Sequence, residues 1–570
     1  MTDRSKALAL IVAFVAVVFA VRLAGPPNLM DQDQERPAAY ILDVVRNGNW
    51  IVQRDETGDV TSKPPLYTWL AATTATLQGR LTGFSLYLPC AASVAAVSIL
   101  LLLFGTREFG FNTGLIASAA FLLSMPALKM VALARTDPLF TLTVTLTAYA
   151  AYDAWKRGRN WIWFWFAATA ATLTKGPLGL VLGATGLLAA FWENDRPRFP
   201  MLLRNHWRGI LLYLGIGAGW LLLALWAEGP DVWKKMIGKE LVGQVVEGNK
   251  PDSGAGRIYL PTFYFITRYL PWSLPTLLAL WRILRHWKSE STHPLERFLV
   301  IQLLSGILIF SFAGHKRPDL LFPLLPAAAL LTGRDLALRL PNLQPLRLVH
   351  WFALASTLTA TFAAGYYWNL VLRDKLTSEK VADTISMREF AKSITDRVGP
   401  DFPLTYVRSP YALQYYLNTM RRRIPVEQAF EALRLPEAVF LVLKGDTRLE
   451  DYARTGLPQV HTVAKWPETG EPVVKIVSNY PRLETPARMA TYIWPFQVRM
   501  DGARLVDAKR GRMTFEPVAP APTVYVTNQT STPASLHLRL NVPGAPMEKS
   551  GTIGPRETWK LEGKDSALQK

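Results

Sequence analysis

Long apolar runs recur from Ala7 to about Leu372 and then stop. Runs of that length read as membrane-spanning helices, because a helix satisfies its own backbone hydrogen bonds inside hydrocarbon. The first run, residues 7–24, follows a short basic start with Arg4 and Lys6. A cleaved signal peptide is the competing reading, but no small-residue cleavage site follows and more spans do. Further spans are expected roughly at 85–105, 112–128, 138–155, 161–174, 177–192, 209–227, 264–282, 296–313, 318–333 and 348–371. Several are short for a bilayer and must tilt or be buried within the bundle.

Basic residues between the runs set the orientation. Lys156, Arg157 and Arg159 form one cluster, and Arg196, Arg198, Arg204 and Arg208 another. Arg282, Arg285 and Lys288 form a third, and Arg334, Arg339 and Arg347 a fourth. All four fall on the cytoplasmic side if the N-terminus is inside. That registration requires residues 64–83 to lie along the membrane surface rather than cross it.

Beyond about Asp374 the pattern changes. Residues 380–397, 409–417 and 427–434 have helical periodicity, with strand-like runs at 438–443 and 473–477. After Pro481 short alternating strands, such as 524–527 and 536–540, are punctuated by Pro, Gly, Asn and Thr. The expected fold is a polytopic α-helical membrane protein of about eleven to thirteen transmembrane helices with a C-terminal extracytoplasmic soluble region. The expected domains are a transmembrane part at 1–373, an α/β domain at 374–480 and a β-rich lobe at 481–570. The transmembrane part includes a first outer loop at 26–84 with amphipathic helices, and another outer loop at 229–262.

Composition narrows the chemistry. Half of the 570 residues are hydrophobic and 19% are charged, which excludes a soluble cytosolic enzyme and a disordered chain. The single cysteine, Cys90, permits no intrachain disulfide and no cysteine-based zinc site. The formal charge of +19 is accounted for by cytoplasmic loops and anionic lipid rather than by nucleic acid. The run Arg421-Arg422-Arg423 reads as a solvated face, or as a segment near anionic lipid headgroups, rather than as a nucleic-acid site. Asn528-Gln529-Thr530 matches a glycosylation sequon by spacing alone.

The informative charges are those on the outer side, where topology does not call for them. The first outer loop carries Asp31-Gln32-Asp33-Gln34-Glu35-Arg36-Pro37 and closes with Ser62-Lys63-Pro64-Pro65-Leu66. Later outer segments hold Arg135-Thr136-Asp137-Pro138, Thr174-Lys175-Gly176-Pro177 and His315-Lys316-Arg317-Pro318-Asp319. A charge at the edge of hydrocarbon is costly without a partner. A salt bridge between spans explains Asp137 or Lys175 singly, but one such pairing could not employ the whole set. Cations at this level suit a polyprenyl phosphate, whose tail stays in the bilayer while its phosphate sits at the surface. Adjacent carboxylates suit an acceptor or a sugar developing positive charge at C1.

Those residues resemble the polyprenyl-phosphate-sugar-dependent glycosyltransferases of the glycosyltransferase-C fold. The aminoarabinose transferases are the nearest branch and the protein O-mannosyltransferases are more distant. The resemblance covers about residues 1–370 and rests on order and spacing. Asp33-Gln34-Glu35-Arg36-Pro37 stands where the family has Asp-Glu-x-Arg-Tyr, and Gly48-Asn49-Trp50 stands for Gly-Asp-Trp. Ser62-Lys63-Pro64-Pro65-Leu66 stands for Glu-Lys-Pro-Pro-Leu, Asp137 for the aspartate of the second outer loop, and Leu173-Thr174-Lys175-Gly176-Pro177 matches outright. Departures are Gln34, Pro37, Ser62 and Leu320, the last standing where relatives often have tyrosine. They leave the phosphate-binding cations intact.

The resemblance implies an inverting transfer of sugar from a polyprenyl-phosphate donor to a lipid, glycan or protein acceptor at the periplasmic face of the bacterial inner membrane. It implies Asp33 as principal catalytic carboxylate and Asp137 as the second. Arg36 and Lys63 would bind the carrier phosphate, with Glu35, Lys175, Arg257 and Lys316 as further substrate-binding candidates. Arg257 can equally be an interfacial residue. No metal is required, although Asp33, Glu35 and Asp137 could gather a divalent ion. A transporter or flippase of an anionic lipid-linked substrate is the alternative. Such proteins place charge at the midplane, often with inverted repeats, and no repeat is visible here.

Overall fold

The computed structural model describes residues 2–25, 29, 32–193, 203–236, 238, 257–289, 292–314, 316–367, 379–447, 459–509, 511–543 and 545–563, with the backbone alone at 32–33, 203–205, 367 and 379–386. Two compact units emerge. One comprises residues 1–25, 60–74 and 82–376; the other comprises 26–59, 75–81 and 377–570. Most of the first outer loop therefore packs with the C-terminal region rather than with the spans that flank it.

In the membrane unit each of the eleven expected spans is helical in the described residues. Six helices are long and apolar enough to cross a membrane individually: Asp3–Leu23, Gly83–Phe109, His206–Glu228, Pro294–Phe312, Pro318–Arg339 and Pro345–Tyr366. Phe111–Leu122 and Met125–Val131 are together apolar enough for a seventh, and are bent by 64° as in a broken span or a re-entrant loop. The break follows from Ser124, whose side chain caps the second helix, and from Pro126 in its first turn. The expected span at 264–282 is two helices, Leu260–Arg268 and Ser273–Arg285, interrupted around Pro271. Leu66–Leu77 is a 12-residue helix, about 18 Å at helical rise, too short to cross hydrocarbon by itself.

Small residues bring the central helices together. A Cβ on Gly105 would lie 2.7 Å from the Gly114 backbone, and one on Gly333 would meet the Thr113 carbonyl. Such approaches let backbones pack where lipid supplies no hydrophobic drive. By contrast, only 17% of the apolar windows at His206–Glu228 and Pro345–Tyr366 is buried. Trp226, Leu222, Trp351 and Phe362 point outward there, as lipid-facing side chains do.

Arginines at one end of the bundle are not free surface charges. Arg282 donates to Glu296 at 2.6 Å and to Asp335 at 3.0 Å, and Arg339 donates to Asp335 at 2.6 Å. Both carboxylates are 1% exposed, so three helices are fastened by a buried ionic network. Arg297 and Glu193 form a further buried pair at 2.7 Å.

The soluble unit begins its C-terminal part with helix Glu379–Val398 and a four-stranded sheet. Thr405–Arg408 runs parallel to Phe440–Lys444, followed across the sheet by Val474–Ser478 and His461–Trp466. Short helices Tyr411–Tyr416 and Val426–Ala432 connect the first two strands. The terminal lobe is two four-stranded sheets. One is formed by Thr558–Glu562, Thr523–Asn528, Phe496–Asp501 and Arg488–Ile493. The other is formed by Met547–Ile553, Ala534–Leu540, Arg512–Pro517 and Ala503–Lys509. Alternate residues are buried along Phe496–Asp501 and Thr523–Asn528, the period of a half-covered strand. Arg499 joins lobe to α/β sheet through its ion pair with Glu437.

One surface reading of the sequence changes, and the sequon match remains one of spacing alone. Arg421, Arg422 and Arg423 are half-buried rather than a solvated face. Arg422 stacks 4.4 Å from the Trp494 ring centroid, and Arg423 pairs with Glu56 at 3.0 Å. The sequon residue Asn528 is fully buried, its amide donating to the carbonyls of Thr532, Ile553 and Gly554. It is a structural asparagine, closed to glycosylation.

Candidate functional site

In the membrane unit the expected outer residues sit at helix ends. Asp137 is the first residue of Asp137–Arg157, where a carboxylate is favoured by the helix dipole, and Pro138 follows it in the first turn. Lys175 is the last residue of Trp161–Lys175. Gly176, at φ 86°, takes the left-handed turn that ends that helix, and Pro177 leads into the next. The Thr-Lys-Gly-Pro sequence is thus a helix stop that leaves a lysine at the terminus. Lys175 donates to Asp137 at 2.5 Å, and both side chains are largely buried. The ammonium also lies 5.6 Å from the Phe140 ring centroid.

A second ionic group centres on Asp319. Asp319 accepts from Arg135 at 2.7 Å and from Lys129 at 3.1 Å. The Cys90 thiol donates to the Arg135 carbonyl at 3.1 Å, holding the loop that joins Arg135 to Asp137. Arg22, at the end of the first span, donates to Tyr87 at 2.6 Å and to the Ala132 carbonyl at 2.9 Å. These bonds fasten the first span to the bent helix.

Asp319 and Lys129 border a hollow of about 750 Å³ of empty space. Its walls are chiefly apolar, with Met125, Met130, Phe265, Phe322 and Leu325, while Arg268 adds a third charge. An apolar hollow with a few convergent charges can hold a chain-like apolar ligand by its tail and an anion by its head. Asp319, Lys129 and Arg268 were not singled out from the sequence as site residues. The available signal was a lone aspartate just after a proline at the start of an apolar helix.

Lys63 is half-buried, with its backbone N–H donating to the Thr61 hydroxyl at 3.3 Å. Pro64 and Pro65 then fix the entry to the helix Leu66–Leu77. Lys316 is half-buried and donates to the Ala313 carbonyl at 3.1 Å, within the turn after Pro294–Phe312. Arg257 is exposed, and its carbonyl accepts from Leu260 N–H at 3.0 Å at the start of Leu260–Arg268. Within the expected outer loop 229–262, residues 237 and 239–256 lie outside the described residues.

Asp33, Glu35 and Arg36 belong to the soluble unit, on helix Gln32–Asn47. The Asp33 side chain lies outside the described residues. Pro37 sits inside the helix and cannot donate to the carbonyl one turn back. Glu35 is half-buried and Arg36 exposed. Tyr40, one turn on, has its phenol pushed above the ordinary range by burial and then by Asp55, with Arg36 acting in the opposite direction.

The Gly-Asn-Trp motif has a structural reason. Gly48 adopts φ 75°, and Asn49 then donates to both oxygens of Asp43 at 2.9 Å. Asn47 and the Arg54 N–H complete the Asp43 shell at 2.7 and 2.8 Å. Further along the loop, burial raises the Glu56 carboxyl above its usual range, and Arg423 partly offsets this. Among the described residues no group of three or more His, Cys, Asp or Glu side chains is arranged to hold a metal.

Comparison with known proteins gives the fold a precedent. A family model described as dolichyl-phosphate-mannose-protein mannosyltransferase matches residues 62–223. An undecaprenyl phosphate-alpha-4-amino-4-deoxy-L-arabinose arabinosyl transferase of Shewanella sediminis is 25% identical over 343 residues, covering 59% of this chain and 61% of that protein. Its counterpart from Pseudomonas fluorescens is 26% identical over 324 residues, covering 55% of this chain and 53% of that protein. The match therefore spans little more than half the length of these relatives. The crystal structure of ArnT from Cupriavidus metallidurans bound to undecaprenyl phosphate aligns with a TM-score of 0.62 at 19% identity, over 84% of this chain and 99% of that one. Its apo form aligns with a TM-score of 0.63. The chain has the glycosyltransferase-C fold of ArnT, with many membrane-spanning helices and a β-rich C-terminal region.

Proposed function

We propose that this chain, built on the ArnT fold, is an inverting glycosyltransferase of the bacterial inner membrane. It takes a sugar from a polyprenyl-phosphate carrier and delivers it to a lipid, glycan or protein acceptor at the periplasmic face. The observation that carries this reading is the likeness to ArnT over nearly the whole of that protein, whose structure was solved with undecaprenyl phosphate. The relatives' printed activity and the apolar hollow edged by Lys129 and Arg268 support it.

In this reading the N-terminus is cytoplasmic, and the soluble unit is periplasmic. The acceptor oxygen attacks C1 of the sugar while the C1–O bond to phosphate breaks. The carrier phosphate leaves with the bonding electrons, so C1 inverts and no sugar–enzyme bond forms. Asp33 takes the proton of a hydroxyl acceptor. Lys63 and Arg36 neutralise charge that grows on the departing phosphate, which is where a cation lowers the barrier. Glu35 is a further substrate contact. Asp137 holds Lys175 by the ion pair described above, which keeps an ammonium at the helix end without leaving it alone in an apolar setting. Lys316 and Arg257 are further carrier-phosphate contacts. Cations suffice for the leaving group, so the transfer proceeds without metal.

The test is transfer by purified protein from a panel of labelled polyprenyl-phosphate sugars to envelope lipids, glycans and proteins. Asp33→Ala and Lys63→Ala are expected to abolish product while membrane insertion stays normal. Wild-type activity in both variants, or carrier crossing the bilayer with no new glycosidic bond, refutes the reading.

A further inference from the structure

The soluble unit holds a second pocket, open at its mouth and narrow inside, with an interior of about 20 Å³. Six polar side chains line it: the donors Arg46, Tyr406, Thr419 and Arg421, and the carboxylates Asp401 and Asp507. Arg46 comes from the last turn of Gln32–Asn47, Tyr406 from strand Thr405–Arg408, and Thr419 and Arg421 from the segment after Tyr411–Tyr416.

The backbone at Arg421 is clamped. Fully buried Gln414 accepts from the Arg421 N–H at 2.8 Å and donates to the Arg421 carbonyl at 3.1 Å. That clamp fixes where the side chain starts, yet among the described residues the guanidinium has no ion-pair or hydrogen-bond partner. Each acid of the pocket has a nearer cation: Asp401 accepts from Arg46 at 3.0 Å, and Lys509 stands 3.7 Å from Asp507, while both act on Arg421 from farther away. Burial and the neighbouring Arg46 pull the Arg421 guanidinium down to about 10, so it is charged at neutral pH.

Two neutral donors face the same space. Tyr406 is 1% exposed and its hydroxyl has no partner among the described residues; the Thr419 hydroxyl likewise has none. These donors open onto the pocket rather than onto protein acceptors, and a cation beside another cation is costly without a counter-charge. The ligand that relieves all of these is an oxyanion. A tetrahedral phosphate, with three terminal oxygens, meets donors arriving from several directions better than a planar carboxylate does.

We propose that the pocket lined by Arg46, Tyr406, Thr419 and Arg421 binds a phosphate-monoester oxyanion, separately from the carrier phosphate. The narrow interior admits the phosphate group alone, with whatever bears it remaining outside. The phosphate can arrive free or on a lipid headgroup.

The test uses full-length protein in nanodiscs of zwitterionic lipid, with hydrogen exchange followed by mass spectrometry. Inorganic phosphate and short-chain phosphatidic acid are the two probes. Slower exchange is expected in peptides covering 399–421. Protection by phosphate identifies a free ion as sufficient; protection by phosphatidic acid alone identifies a lipid headgroup. Arg421→Gln is expected to weaken the response about tenfold or more, the loss of one charge-assisted contact. Tyr406→Phe, which removes one hydroxyl and keeps the ring, is expected to weaken it several-fold and guards against misfolding of the first variant. Lys63→Ala is expected to leave protection unchanged, so failure here and failure of the transferase reading are separately visible. No slowing with either probe, or equal protection in wild type, Arg421→Gln and Tyr406→Phe, overturns the proposal.

Discussion

The two units treat buried charge differently. In the membrane unit several charges below the surface come in tight pairs: Asp137 with Lys175, Arg297 with Glu193, and Arg282 with Glu296 and Asp335. In the soluble unit Arg421 is sheltered without an ion-pair partner among the described residues, beside a second arginine. A bundle surrounded by hydrocarbon has no water to share the cost of a lone charge. A water-facing unit can keep one open, at the mouth of a pocket that a solute can fill. Pairing in the first unit therefore speaks of architecture, and openness in the second speaks of binding.

Asp335→Ala tests that contrast most severely. It leaves Arg282 and Arg339 without a shared buried acceptor, and a loss of about 3–5 kcal/mol is expected. Arg421→Gln should instead leave thermal stability unchanged or raise it, because the cost of burying an unpaired cation disappears. Thermal unfolding of both variants in the same detergent checks this; similar losses in the two would erase the distinction.

Lys63→Ala probes function rather than framework. Its transfer rate is expected to fall about 100- to 1000-fold, as when one transition-state charge contact is removed, with Tm unchanged. A fall in Tm equal to that of Asp335→Ala would assign Lys63 to architecture instead.

Smaller effects sharpen the picture. A double-mutant cycle of Asp137→Asn and Lys175→Met should give a coupling of about 1–3 kcal/mol. Additive losses would mean that the pair is incidental. Glu56 supplies a pH signature. Its folded-state carboxyl lies above the unfolded value of 4.5, so the folded protein holds that proton more tightly. Its contribution is full below pH 4.5 and is lost as pH rises through the folded value. Glu56→Gln should flatten stability of the soluble unit over that window; an unchanged slope removes Glu56 as its source.

Much of this was legible in the chain. Apolar run length located the spans, and two-residue alternation located strands such as Thr523–Asn528. The Thr-Lys-Gly-Pro and Gly-Asn-Trp stretches were legible as motifs, and their glycines prove to take positive φ. What the chain hid was long-range pairing. Asp319 is 184 residues from Arg135, and Glu56 is 367 from Arg423. Nothing in either neighbourhood states which distant charge will meet it. For the same reason the arginine run at 421–423 read as solvated, since periodicity does not show that Trp494 and Glu56 cover it. Bends hid as well: the span expected at 264–282 is one apolar run, yet it breaks around Pro271.

The most direct test follows one labelled sugar. Purified protein, supplied with a radiolabelled polyprenyl-phosphate sugar and an envelope lipid extract, should move label from the carrier into an inverted glycosidic linkage, and Lys63→Ala should leave it on the carrier. Label that stays on intact carrier with wild-type protein across the donor panel, or equal product from the variant, contradicts the account.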